Sequence, residues 1–539
     1  MGMLFIMVLG LLVLCAVVAM IVAAFRRRSG SDDIPDSAVK LDPVDVNQPP
    51  PKPSNRFLMW LDDHMNPIAV KELRQAVRAR FITGMLMLLL GVQVLVIMVF
   101  VMYDDDVTEQ GGGRVFFTLS SVLSVISLLT LPAYAGARLT WERMGQSVDL
   151  MHITSLRPRT IVLGKFFSVG VVALMMFSTC LPFISFSYLL RGIDLPTIFL
   201  CMAWSFVLTL GMISVGVFLG AIRGGVFLKA VLGIGLMVSI IPVAMSASGF
   251  LIQEIIGIAD FSWGVAGTAI ALLAAATGLF LSLAAAAISP PVMNRALPVR
   301  AYITIAAAVT GAIMYAWARE SGHCSFMVAW AFFMTLVLCL AMMVSVCERD
   351  SLPMRIRQGI PRMLLPRAAA FVFFSGSGGG MLWCLLMAGG VLMALLASMW
   401  SVIRPPYMYY SDDIAMAYVL SMGHVFAAAV LGGTFVRMVS AGRFRSSSWV
   451  AGLIILALQC VIPLVIYGVD IDDWGPLKVI SPISLFEDSS FSKEYRLFVL
   501  GYAGFAFVVG AFQGIWQLLR FKPPAPPAKA PQDVEAVHA

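Results

Sequence analysis

Asp104, Asp105, Asp106 and Glu109 form the densest set of metal-binding side chains in this sequence. Carboxylate oxygens crowded in this way can hold a hard cation such as Ca2+ or Mg2+. They lie, however, in a short loop between two apolar runs, and the reading is a solvated cap without a metal. The five histidines, His64, His152, His323, His424 and His538, are scattered, and no H-E-x-x-H occurs. His424 alone falls inside an apolar run, as an interior residue. The eight cysteines include no C-x-x-C pair and read as small buried hydrophobes. The glycine-rich "SGSGGG" at 375–380 has no lysine after it and no strand before it, so it cannot cradle a phosphate as a P-loop does. It reads as a flexible break at a helix start. No G-x-S-x-G is present. No catalytic, cofactor-binding or metal-binding residue is assigned, and the chain is read as not being an enzyme.

Charge collects instead in two segments. The first is "DDHMNPIAVKELRQAVRARF", 62–81. Asn66 can cap a helix that has Pro67 at its first position. Ile68, Val70, Leu73, Val77 and Phe81 then form an apolar stripe, with Lys71, Glu72, Arg74, Arg78 and Arg80 on the polar side. A basic amphipathic helix of this kind lies in the membrane interface. The second is "ARLTWERMGQSVDLMHITSLRPRTIVLGKFF", 137–167. Arg157-Pro158 predicts a helix start. Residues 141–156 are expected to form a second short helix, the two making a compact knob.

The elements that must position these segments are membrane spans. Of the 539 residues, 60% are hydrophobic and only 12% charged; mean hydropathy is +0.90. Apolar runs of about 20 residues, enough to cross a hydrocarbon core of about 30 Å, recur along the chain. The fold class is therefore all-α, a polytopic transmembrane helix bundle. A β-barrel would show short alternating segments. Thirteen spans are predicted: 3–25, 81–103, 115–137, 166–190, 197–221, 230–251, 263–288, 301–318, 326–346, 381–403, 414–436, 449–467 and 497–519. Arg26, Arg27 and Arg28 follow the first span and nothing basic precedes it, which puts the N-terminus outside and argues against a cleaved signal peptide. Alternation from there places 30 of the 37 Lys and Arg residues on the cytoplasmic side, with the C-terminus. The net charge of +7 thus follows sidedness, with attraction to anionic membrane lipid, and requires no nucleic acid. Residues 29–61 read as a flexible cytoplasmic linker and 521–539 as a disordered cytoplasmic tail.

Taken together, the two charged segments resemble those of the membrane (permease) subunit of an ATP-binding-cassette (ABC) exporter of the second permease type. Such subunits carry an interfacial elbow helix of the form NP-x-x-x-KELR. Two spans later come an acidic-basic pair and a T-x-L-x-P-R-x-I-x-x-G-K coupling turn. Asn66, Pro67, Lys71, Glu72, Leu73 and Arg74 match the elbow. Glu142, Arg143, Thr154, Leu156, Pro158, Arg159, Ile161, Gly164 and Lys165 match the coupling loop, with Arg157 inside it. The resemblance covers about 62–290. It implies separate ABC ATPase subunits as partners, with ATP and Mg bound there and no cofactor in this chain.

Thirteen spans depart from the six usual for such a permease. Setting the first helix, 1–28, aside leaves two sets of six, 62–290 and 291–520. The second set lacks an elbow but repeats an acidic-basic start and Pro-Arg pairs in its cytoplasmic loop. Glu348, Arg349, Pro361 and Arg362 are therefore a candidate second coupling loop in a diverged repeat. Either two copies pair as a homodimer or one chain supplies both halves as a pseudo-dimer. The expectation is export of a lipophilic substrate across the inner (plasma) membrane. Span interiors nearly free of charge disfavour an ion-coupled secondary transporter. A polytopic membrane enzyme on lipid-linked substrates would need the Asp104–Asp106 cluster, and a structural subunit would retain the fold without transport.

Overall fold

The structure is a computed structural model. It describes residues 67–77, 79–103, 111–144, 157–190, 193–222, 263–290, 293–346, 352–402, 409–440 and 493–524, with a few small gaps and single positions such as Glu348 besides. Among these residues 91% are helical and none is in a strand. Ten described helices are long and apolar enough to cross a membrane, so the protein is an integral, multi-pass α-helical bundle. The predicted spans 3–25, 230–251 and 449–467 fall outside the described residues, isolated helical positions apart. The linker 29–61 and the Asp104–Asp106 cluster also fall outside them.

The chain divides into two units, Met1–Ile288 and Ser289–Ala539. The first contains α1 (Pro67–Val77), α2 (Arg80–Tyr103), α3 (Gly111–Met144), α4 (Pro158–Leu189), α5 (Leu195–Ala221) and α6 (Trp263–Ile288). At about 1.5 Å per residue, the 34 residues of α3 and the 32 of α4 greatly exceed the thickness of a bilayer core. Of the expected knob, residues 145–156 lie outside the described residues, and its two described ends are continuous with these long helices. Trp141–Met144 is the last turn of α3, and Pro158 begins a helix that runs unbroken into the membrane. Nothing after Pro132 in α3 breaks a helix, and Pro158 sits where its missing N–H has no intrahelical partner to lose.

Glycine spacing sets the centre of this unit. A Cβ at Gly216 of α5 would collide with the backbone of Pro132 in α3. One at Gly220 would lie 2.6 Å from the Gly136 oxygen, and one at Gly136 2.8 Å from the Gly216 oxygen. The two backbones touch through a small-xxx-small pair, the usual route to close packing where lipid removes the hydrophobic drive between helices. Ser127 and Thr209 meet across the same pair at 3.3 Å. Around it Leu119, Leu123, Leu131, Ile213 and Val217 form a continuous buried core with residues of α2 and α4.

The second unit contains α7 (Ala296–Ser321), α8 (Ser325–Val346), α9 (Met354–Gln358), α10 (Leu364–Phe373), α11 (Ser377–Val402), α12 (Tyr409–Ser440) and α13 (Lys493–Arg520). Gly322, at φ 71°, ends α7 in the left-handed conformation and lets α8 start three residues later, so the two pack as a hairpin. Trp330 of α8 lies over Gly311 of α7 and donates to Thr310 Oγ1 at 3.0 Å. The "SGSGGG" run does break the helix at Phe374–Gly376, but its glycines are packed, not loose. Added Cβ atoms at Gly378 and Gly380 would meet Gln517 Oε1 and Arg300 Nη2, each at 2.6 Å.

Candidate functional site

α1, the end of α3 and the start of α4 converge on a buried charge knot. Lys165, in the second turn of α4, has a side chain 5% exposed. Its Nζ contacts Glu72 Oε1 of α1 at 2.8 Å and Glu142 Oε2 of α3 at 2.6 Å. Arg138, one turn before Glu142, reaches Glu72 Oε2 at 2.7 Å and donates to Tyr134 Oη at 2.6 Å and to Gln75 Oε1. Two acids and two bases neutralise one another, which is what burial of charge requires. Burial pushes the Glu72 carboxyl up, but the charge and hydrogen bond of Lys165, with Arg138, outweigh it and hold the group below the usual carboxylate range.

The sequence reading of α1 needs correction. Glu72 is not on a solvated polar face. It is 4% exposed and shares its face with Ala69 and Ala76, small residues that let α1 lie close on α4. The bulkier Val70 and Leu73 stay half-buried, while Lys71 and Arg74 are exposed. The docked face and the apolar stripe are therefore adjacent, not identical. A charge is buried because its partners are 66 and 93 residues away in sequence, which an amphipathic pattern cannot reveal.

Arg143, next to Glu142, turns the other way. It donates to the carbonyl of Ala221 at the end of α5 and, at 3.1 Å, to that of Ala287 at the end of α6. The last carbonyls of a helix lack intrahelical donors and carry the negative pole of its dipole, so a guanidinium suits them. The Glu142-Arg143 pair thus ties α3 to α1 and α4 on one side and to α5 and α6 on the other.

The remaining matched residues divide by position. Asn66, Thr154, Leu156 and Arg349 lie outside the described residues. Pro67 and Pro158 are the first residues of α1 and α4. Ile161 and Gly164 are buried against the bundle, while Arg157, the N-cap residue of α4, and Arg159, in its first turn, are exposed. Neither arginine forms an ion pair among the described residues.

The second unit has a knot of its own. Arg300, 3% exposed in α7, donates from Nη2 to both Glu348 oxygens at 2.7 Å and from Nη1 to the carbonyls of Val372 and Phe374 at 2.8 Å. Glu348 also accepts from the Gly376 N–H at 2.7 Å. Asn294 caps α7, its side-chain oxygen accepting from the N–H of Ala296 at 3.2 Å. Pro361 and Arg362 take no part and lie in the turn between α9 and α10.

Sequence reasoning missed Arg138 and Arg300. Arg138 was signalled by its place four residues before Glu142, on one helix face. Arg300 was signalled by spacing: Met293-Asn294 precedes it by six residues, as Met65-Asn66 precedes Glu72.

The chain matches no protein-family model, no curated protein and no solved structure. Its chemistry must be read from the geometry. No group of three or more His, Cys, Asp or Glu side chains able to hold a metal occurs among the described residues. Both knots pair acidic with basic side chains. They can fix and transmit the position of helices.

Proposed function

We propose that this protein is the membrane subunit of an ATP-driven exporter of the ABC type, moving a lipophilic substrate outward across the inner (plasma) membrane. ATP and Mg are bound by separate ATPase subunits. The observation that carries this reading is the meeting of Glu72, Glu142 and Lys165. The resemblance assigns them to separate motifs, an elbow and a coupling loop, whose side chains form one ion-paired unit. A push on the exposed first turn of α4 moves Lys165 and, through it, α1 and α3.

Arg157 and Arg159 supply the contact surface. Cations at a helix N-terminus oppose its dipole by roughly 0.3–1 kcal/mol each, so their place there is not explained by helix stability. An acidic partner surface accounts for it, as does cytoplasmic sidedness in part. The test is co-expression with ABC ATPase subunits from the same genome, followed by co-purification and ATP hydrolysis in proteoliposomes. The pair should co-purify, and Arg157→Glu with Arg159→Glu should release the ATPase while the exposed positions leave the fold intact. Failure of the unsubstituted chain to retain any ATPase overturns the reading.

A further inference from the structure

The loop of the second unit pairs exposed apolar side chains with exposed arginines. Residues 352–374 contain four arginines and no Asp, Glu or Lys. Its apolar residues separate into two sets. Ile360 and Phe371 are buried with Phe521, whose ring stands edge-on to Phe371 at 5.4 Å and to Phe374 at 5.5 Å. Met363, Leu364 and Leu365 are instead 76%, 74% and 85% exposed. A segment with a core of its own, leaving three successive large apolar side chains outside it, presents them to something else. Arg355, Arg357 and Arg362 are exposed around this tip and Arg367 is half-exposed. None is ion-paired among the described residues. Phe521 brings Arg520 and Lys522, both exposed, beside the same core.

The level of the tip in the bilayer follows from Arg300. Near the start of α7, at the entry to a span, it holds the carbonyls of Val372 and Phe374 at the end of α10. The end of α10 is thereby held at the level of the start of that span. Arg520 stacks on Trp516 at 4.2 Å, a pairing suited to the boundary between hydrocarbon and water.

We propose that residues 352–374 form a membrane-surface device: Met363, Leu364 and Leu365 enter the leaflet while Arg355, Arg357, Arg362 and Arg367 engage anionic phospholipid headgroups. Apolar tips below and guanidinium groups at phosphate level are what an interfacial segment requires. The contrast with α4 argues against an ATPase dock here. The exposed residues of its N-cap and first turn, Arg157 and Arg159, are charged, whereas at the N-cap and first turn of α10 Met363, Leu364 and Leu365 are apolar. The inference stands whether or not the ATPase reading does.

The test uses the full chain, with Leu364→Cys carrying a nitroxide, in vesicles of phosphatidylcholine alone or mixed with phosphatidylglycerol. Background labelling is measured on the parent chain. Oxygen, which partitions into lipid, should relax the label more than a water-soluble nickel chelate does, and phosphatidylglycerol should widen the difference. Retention of phosphatidylglycerol by the detergent-purified chain, read by native mass spectrometry, should fall about fivefold for each arginine changed to glutamine at low ionic strength. The proposal is overturned if the chelate reaches the label better than oxygen in both membranes. Equal retention of the two lipids, or protection of the label only on adding the ATPase, also overturns it.

Discussion

Lys165 carries more of the site than any other side chain, because two carboxylates depend on it. Removing one partner of a buried pair leaves an uncompensated charge and costs roughly 3–5 kcal/mol. Lys165→Met should therefore destabilise the first unit by several kcal/mol, measured as a fall in the unfolding midpoint in detergent. Glu72→Gln should be milder, since an amide still accepts from Lys165. The pH dependence has a definite sign. Glu72 is held below the usual carboxylate range, so its contribution is complete above the unfolded Glu value of about 4.3 and is lost as pH falls through the lower folded value. The stability difference between the parent chain and Glu72→Gln should thus be constant near neutrality and shrink only in acid. A difference that vanished already between neutral and mildly acidic pH would sink the assignment.

At the scale of elements, the contact of α3 with α5 is set by backbone proximity. Gly216 and Gly220 face Pro132 and Gly136 with no room for a side chain. Gly216→Leu should separate the two helices and break the Ser127–Thr209 contact. The expected readout is loss of a monodisperse peak in gel filtration, or faster proteolysis of the first unit. Gly91, whose added Cβ would meet nothing within 4 Å, is the control, and Gly91→Leu should be tolerated. The long extensions of α3 and α4 belong here too. They make the candidate coupling residues rigid continuations of spans, so displacement at Arg159 reaches the bundle without a hinge.

Across the whole molecule, each unit ties its own helix ends with its own buried charges. Glu348→Gln should raise amide hydrogen exchange at the starts of α7 and α11 and leave α1, α3 and α4 unchanged. Lys165→Met should do the reverse. Exchange that spread from either lesion through both units would contradict two separately organised halves.

Composition and hydropathy by themselves determined the class of this protein, because a bilayer demands long apolar helices whatever they pack against. Local chemistry likewise determined the Pro158 helix start and the absence of a P-loop. The tertiary structure alone decided what the charges do. Glu72 looks solvated on a helical wheel and is buried, since its compensation comes from Arg138 and Lys165 on other helices. The glycines at 378–380 look flexible and are confined by Gln517, Arg300 and their neighbours. Burial of a charge and exclusion of a side chain are both properties of partners distant in sequence, and periodicity reports only on one helix at a time.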